Sequence, residues 1–339
     1  MIATETLILE YLKERAPRYS EGIIIGISEM DDCAVLECEP GYQICVTSDF
    51  IRGTDFDLYR HDFLNDYDLG YYLAAANFSD LAAMGAKPLG LLTNIRFAPD
   101  RPFTLVAQTI DGILRACDDF GAALIGGDSG PNSSNVLSAT ALGKARAGRL
   151  LALRNSQPGY AIFVSGEVGF AGAARAAGNS GSNATDSDAF NECLLRWKRP
   201  LPRTALGVEL AALTMDIAAT DTSDGILSSL LRVSTACEIG FEVDLDSLPI
   251  GCAVYEVGEI MERKCIEFGF GTSNDFELLI CAPVDASIEL QRIFGNFGIR
   301  ITRIGTLLEQ PRAEIYSAGC SVYSGVLDEQ KIKGVLEID

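Results

Sequence analysis

The chain has one histidine and one tryptophan in 339 residues, and only 27 Lys and Arg against 47 Asp and Glu. The lone histidine, His61 in the polar run LYRHDFLND, reads as part of a solvated face and leaves most acid–base mechanisms without their usual group. A net charge of −20 argues against nucleic acid and against an anionic membrane surface as partners. None of the ten cysteines stands in a C-x-x-C pair, which with so little histidine weighs against zinc; they read as small core thiols of a reducing cytosol. No apolar run reaches the length that spans a bilayer. The opening MIATETLILEYLKERAP mixes charges at helical spacing, unlike a leader peptide, so a cytoplasmic location is expected. A Walker A loop is missing too: LGKAR lacks both the upstream glycine and the following Ser or Thr.

What the chain does have is a set of six aspartates beside Gly, Ser, Thr or Asn at element junctions: Asp32, Asp49, Asp80, Asp128, Asp221 and Asp224. Asp80 is the most telling, because it is the only charge in LGYYLAAANFSDLAAMGA. A carboxylate on so apolar a helix is costly to bury without a cation or hydrogen-bond donors. Several such groups converging would make a hard-cation site, with Mg²⁺ and phosphate its usual occupants. Each motif also has a plainer reading. In TDTSDG one Asp or Ser is explained as a helix N-cap, which leaves Asp221 unexplained. In AALIGGDSG, Gly126 and Gly127 form either a tight turn or a close backbone approach to phosphate beside Asp128. Thr47, Ser48 and Asp49 put three oxygen donors in a row at a strand end. Arg196, Lys198, Arg199 and Arg203 form either a solvated loop or an anion contact.

The pattern predicts a helix over 4–15, a strand in GIIIGI, a hairpin closed by EPGY, and a helix over 66–86 stopped by Gly85 and Pro88. A strand GLLTNIRF, a helix over 105–120 and strands at AALIGG and 136–143 follow. Near Gly148 a second half starts, with a strand at 161–165, a Gly/Ala helix, a mobile polar loop at 179–188, and further mixed elements. VSGEVGFAG follows a strand and opens a helix, but its glycine spacing is not that of a dinucleotide loop. Irregular mixing of strands and helices indicates α+β in two domains, 1–147 and 148–339, rather than a doubly wound parallel sheet.

In order along the chain, DDCAVL, TSDFIRGTDF, NFSDLAAMGAKP, IGGDSGP, RPLPR, TDTSDG and NDFELL resemble the thiamine-monophosphate kinase family. It belongs to the superfamily of aminoimidazole ribonucleotide synthetase and selenophosphate synthetase. The resemblance implies a two-domain fold whose N-terminal strands form an intersubunit barrel in a homodimer. It also implies ATP and several Mg²⁺ in the cleft and a small phosphorylated substrate. Carried over position by position, metal ligands fall at Asp32, Thr47, Ser48, Asp49, Asp80, Asp128, Asp221 and Asp224, with Asp221 and Asp224 at the catalytic centre. Nucleotide contacts fall at Gly127, Asp128 and Ser223. The ATP-binding arginine falls at Leu153 in a gapless alignment, or at Arg154 if the loop is one residue shorter.

The departures lie on the acceptor side. Asp55 stands where the family has a histidine, Asn274 replaces a glutamate, Phe276 a tyrosine and Met30 a glycine; the ending KGVLEID lacks the family's aromatics. A phosphate-monoester acceptor is already an anion and needs no general base, which suits a chain with one histidine. Two alternatives stay open: a relative acting on another small molecule, and a non-catalytic nucleotide binder.

Overall fold

The computed structural model describes residues 23–25 and 31–338. The helix expected over 4–15 and most of the GIIIGI segment lie outside the described residues. The first half carries β1 (Ile23–Ile25), β2 (Ala34–Glu37), β3 (Tyr42–Ile51), α1 (Asp66–Ala83), β4 (Lys87–Phe97), α2 (Phe103–Phe120), β5 (Ala123–Pro131) and β6 (Val136–Arg146). Its strands form one sheet in the order β1-β2-β3-β6-β4-β5, antiparallel except for β4 with β5. The EPGY turn closes the β2–β3 hairpin in register, with Ala34 opposite Val46.

α1 is buried on nearly every side, because it lies between the first sheet and the second half. A helix apolar all round is one buried all round. Its start is a reciprocal cap: the Asn65 side chain accepts from the Asp68 amide at 3.0 Å, and the Asp68 carboxylate accepts from the Asn65 amide at 3.1 Å. Glycines bring its neighbours within backbone contact. A methyl on Gly112 of α2 would lie 2.0 Å from the Tyr67 carbonyl oxygen, and one on Gly70 would lie 1.9 Å from that of Thr109.

The second half carries β7 (Ala161–Ser165), α3 (Phe170–Ser180), α4 (Asp188–Lys198), α5 (Thr204–Ala211), β8 (Ala218–Asp221), α6 (Ile226–Cys237), β9 (Gly240–Asp244), α7 (Cys252–Met261), β10 (Leu278–Ala282), α8 (Ser287–Asn296), β11 (Ile301–Leu308), β12 (Ala313–Ser317), β13 (Cys320–Gly325) and α9 (Glu329–Leu336). These strands form a seven-stranded sheet in the order β13-β12-β9-β11-β7-β10-β8, in which only β9 and β12 run parallel. The fold is α+β. β8 stands at the sheet edge and delivers Asp221 at its end.

Two expectations are corrected. The polar segment 179–188, read as mobile, is a pair of capped turns around buried Ala184: Ser182 Oγ accepts from the Ala184 amide and Ser187 Oγ from the Phe190 amide. Ser182 and Ser187 cap the turn and helix that follow them. The basic run is not a solvated loop, because it pairs with buried acids of the protein. Arg199 bonds Asp68 at 2.7 Å and lies over the Tyr67 and Tyr71 rings, and Arg203 makes a two-pronged pair with buried Glu277. No helix among the described residues is long and apolar enough to cross a membrane.

Candidate active site

Three segments remote in the chain meet between the two halves. Asp80 sits in the last turn of α1, and Thr47, on the helix-facing side of β3, donates from Oγ1 to Asp80 Oδ2 at 2.5 Å. Asp32 comes from the turn before β2; its side chain is fully buried and accepts from Thr220 Oγ1 at 3.2 Å and from the Arg232 guanidinium. Asp221 closes β8, and its Oδ1 accepts from Ser223 Oγ at 2.8 Å. One oxygen from each of Asp32, Asp80 and Asp221 lies within 4.8 Å of the others.

Among the described residues, Asp32 Oδ2 and Asp221 Oδ2 are buried with no hydrogen-bond partner. Burial lifts the Asp80 carboxyl well above the usual carboxylate range, and the charges of Asp221, Asp49 and Asp32 push it the same way against the Thr47 bond. Burial pushes Asp32 up to about 7, with Arg232 pulling it down and Asp221 and Asp31 pushing it up. Acids gathered out of water, with two oxygens left unpartnered and only Arg232 at hand, are arranged to take a further cation. An all-oxygen donor set of this kind fits Mg²⁺ and does not fit a soft metal.

A cavity of about 370 Å³ is lined by Asp49, Ser223, Asp224 and Asn274, with Arg52 and Arg175 adding positive charge. Its aromatic wall is ordered: Tyr72 stacks on Trp197 with centroids 4.4 Å apart, and Phe276 meets Tyr72 edge-on at 5.3 Å. Asn274 donates from Nδ2 to the Ser223 carbonyl at 2.6 Å, tying the NDFELL turn to the TDTSDG turn. Asp49 also belongs to the N-terminal framework, since its amide donates to Asn77 Oδ1 at 3.2 Å.

Two family models match the chain: the AIR synthase related protein N-terminal domain over 30–145 and its C-terminal domain over 157–317. Thiamine-monophosphate kinase of Rhodopirellula baltica is 30% identical over 318 residues, covering 90% of this chain and 89% of that relative. The chain belongs to the thiamine-monophosphate kinase family. Among solved structures, thiamine-monophosphate kinase from Stenotrophomonas maltophilia K279a superposes with a TM-score of 0.73 at 28% identity, covering 92% of this chain and 95% of that one. The structure of AaThiL complexed with AMPPCP and TMP gives a TM-score of 0.78 at 19% identity over 95% and 97%, a likeness of fold.

Not every position that the thiamine-monophosphate kinase resemblance marks gathers at the cluster. Thr47 and Ser48 are neighbours on one strand and must face opposite ways. Thr47 faces α1, whereas Ser48 bonds Thr140 on the outer face of the sheet. Asp128 is also on that outer face, exposed and paired with Arg96; the register Phe50–Ser138–Asn94–Asp128 puts it three strands from β3, roughly 14 Å at sheet spacing. Within one chain it is not brought to the other aspartates. Gly127 has a packing reason of its own: a methyl there would lie 2.1 Å from the Thr93 carbonyl oxygen.

Leu153 is fully buried, and Arg154 lies exposed at a separate cavity lined with Gln43 and Asp216. Asp55 is exposed, pairs with Arg60 at 2.7 Å and does not line the cleft cavity, while Asn274 does. The VSGEVGFAG helix start offers no open anion site, because the Asp275 carboxylate accepts from the Gly169 amide at 2.6 Å and the Ala171 amide at 3.1 Å. Sequence reasoning passed over Arg232, Arg52, Arg175 and the Tyr72–Trp197 wall. Two of them left a signal: Arg232 is the only charge in ILSSLLRVSTAC and Arg175 the only charge in FAGAARAAGNS.

Proposed function

We propose that the chain is an ATP- and Mg²⁺-dependent kinase that transfers the γ-phosphoryl of ATP to thiamine monophosphate, giving ADP and thiamine diphosphate. The observation that carries this is the buried meeting of Asp32, Asp80 and Asp221 with orphaned oxygens, next to a cavity that holds both cations and an aromatic wall. In the reaction the bond from the γ-phosphorus to its bridging oxygen breaks, and one forms to an oxygen of the acceptor phosphate. That oxygen is already anionic, so the site needs alignment and charge neutralisation but no base. Mg²⁺ held by Asp32, Asp80 and Asp221, with Asp49 and Asp224 alongside, would neutralise polyphosphate charge. Arg52 and Arg175 supply positive charge from the cavity wall, which the buried rings of Tyr72, Trp197 and Phe276 back from behind. A nucleotide contact by Ser223 at this cavity is part of the proposal; contacts by Gly127 and Asp128 would come from a second copy, and Arg154 would reach nucleotide only from its separate cavity.

A homodimer in the cytoplasm completes this reading. The outer face of the first sheet exposes Phe50 (71%), Ile125 (54%) and Leu92 (39%), an apolar patch that a second copy would cover. It also carries Ser48 and Asp128, so pairing would place these two at a subunit boundary. Light scattering should give a dimer, and F50D should shift it to monomer.

A different acceptor within the same chemistry is favoured by one observation: Asp55 and Asn274 depart from the family, and Asp55 turns away to Arg60. ADP release measured with thiamine monophosphate against other phosphorylated or hydroxylated heterocycles decides between them. Turnover on thiamine monophosphate alone supports the first reading, and turnover on another acceptor alone replaces it. Tight ATP binding with no turnover on any acceptor would make the chain a binder.

A further inference from the structure

The Arg232 guanidinium stands inside the carboxylate group it faces. It donates through Nη1 to Asp32 Oδ1, lies 3.4 Å from Thr220 Oγ1 through the same nitrogen, and reaches Asp224 Oδ2 at 3.6 Å through Nη2. The Asp32 side chain is fully buried, while that of Arg232 is 30% exposed, so the charge reaches the buried acid from α6. One arginine therefore bridges two of the six aspartates; Asp32 Oδ2 is buried without a hydrogen-bond partner, and one Asp32 oxygen lies within 4.8 Å of oxygens of Asp80 and Asp221. A fixed positive charge already satisfies part of a site whose chemistry asks for cations.

We propose that Arg232 is a resident counter-ion that competes with divalent metal for Asp32. It holds the carboxylates together when metal is absent, and it lowers the affinity of the cluster for a divalent ion. The proposal rests on the metal reading of the cluster and concerns which cation takes Asp32. A guanidinium beside Asp32 repels an incoming ion and occupies one of its two oxygens, so both effects have the same sign. Arg232 is a positioning residue here: it acts on the carboxylates that meet the metal.

The test is Mn²⁺ binding to nucleotide-free protein, followed by titration of free Mn²⁺, together with thermal unfolding in EDTA and in saturating Mg²⁺. R232Q should bind Mn²⁺ about tenfold more tightly or take up an additional ion, as removal of one charge within ion-pair distance requires. Its melting temperature should fall in EDTA and return to the wild-type value or above in Mg²⁺. A purely structural arginine would leave Mn²⁺ affinity unchanged and give a loss that Mg²⁺ does not recover; that result overturns the proposal. If R232Q fails to fold even with Mg²⁺, R232M takes its place with the same expected tenfold gain, and R232K, which keeps the charge without the fork, is the control whose Mn²⁺ affinity should stay within about twofold of wild type. A tenfold gain in the lysine variant would also overturn the proposal. D80N separates the two claims. If wild type and D80N bind Mn²⁺ alike, the metal reading fails; if D80N loses binding and R232Q gains none, only the role of Arg232 fails.

Discussion

Two regions of this protein that bury carboxylates treat them in opposite ways. Around the start of α1 and the base of α5, each has its own partner: Asp66 with Arg101, Asp68 with Arg199, Glu277 with Arg203. In the cleft, Asp32, Asp80 and Asp221 are gathered against one another, and a single arginine serves them at one edge. The first arrangement is complete as it stands. The second is a deficit of positive charge, and a deficit kept in a folded protein marks a place for a ligand.

The sharpest way to break the comparison is to remove one carboxylate from each region. D80N should lower Mg²⁺-dependent ADP release at least about 10³-fold, some 4 kcal/mol of barrier. Its melting temperature in EDTA should hold or rise, since a mutual repulsion is relieved. Wild-type turnover in D80N would end the metal assignment. R203M, which strands Glu277, should instead cost about 3–5 kcal/mol in urea unfolding. A loss below about 1 kcal/mol would show that the paired region is not held by its pairs.

Proton binding sharpens the contrast further. Asp32 and Asp80 titrate above their unfolded values, Asp32 near 7 against 3.8, so in EDTA the folded chain takes up protons that the unfolded chain does not. Their contribution is therefore fully present at acid pH and is lost as pH rises from about 4 towards 7. The melting temperature of metal-free protein should fall over that window, and saturating Mg²⁺ should reduce the fall, because metal takes the proton's place. Smallest of all, S187A removes the cap on α4 and should cost about 1 kcal/mol with kcat unchanged. A large loss of activity there would tie the 179–188 turns to the cleft.

Much of this was legible in the residues. Asp80 announced itself as the one charge on an apolar helix, and TDTSDG as a strand running into a helix with one acid too many. The α+β class followed from irregular element order, and the hairpin from EPGY. What escaped was long-range or two-sided. The partners of Arg199 and Arg203 lie 131 and 74 residues away, so a local reading left them to solvent or ligand. Thr47, Ser48 and Asp49 were read as three donors in a row, although strand alternation sends Ser48 outward. Asp128 was grouped with the others by motif, and no motif states which face of a sheet a strand presents or how far across it the strand lies.

The glycine contacts of α1 have a last consequence. The helix is seated against α2 at Gly70 and Gly112, and against α5 at Gly207, where a methyl would lie 2.1 Å from the Ala82 carbonyl oxygen. A rod clasped by backbone on two sides cannot slide or roll by an ångström without collision. The position of the Asp80 oxygens is thus set by main-chain fit and not by whatever ion arrives. Any accommodation to ions of different radius falls to the TDTSDG turn and the segment carrying Asp32, which makes those two pieces of chain the calipers of the cleft and α1 its fixed jaw.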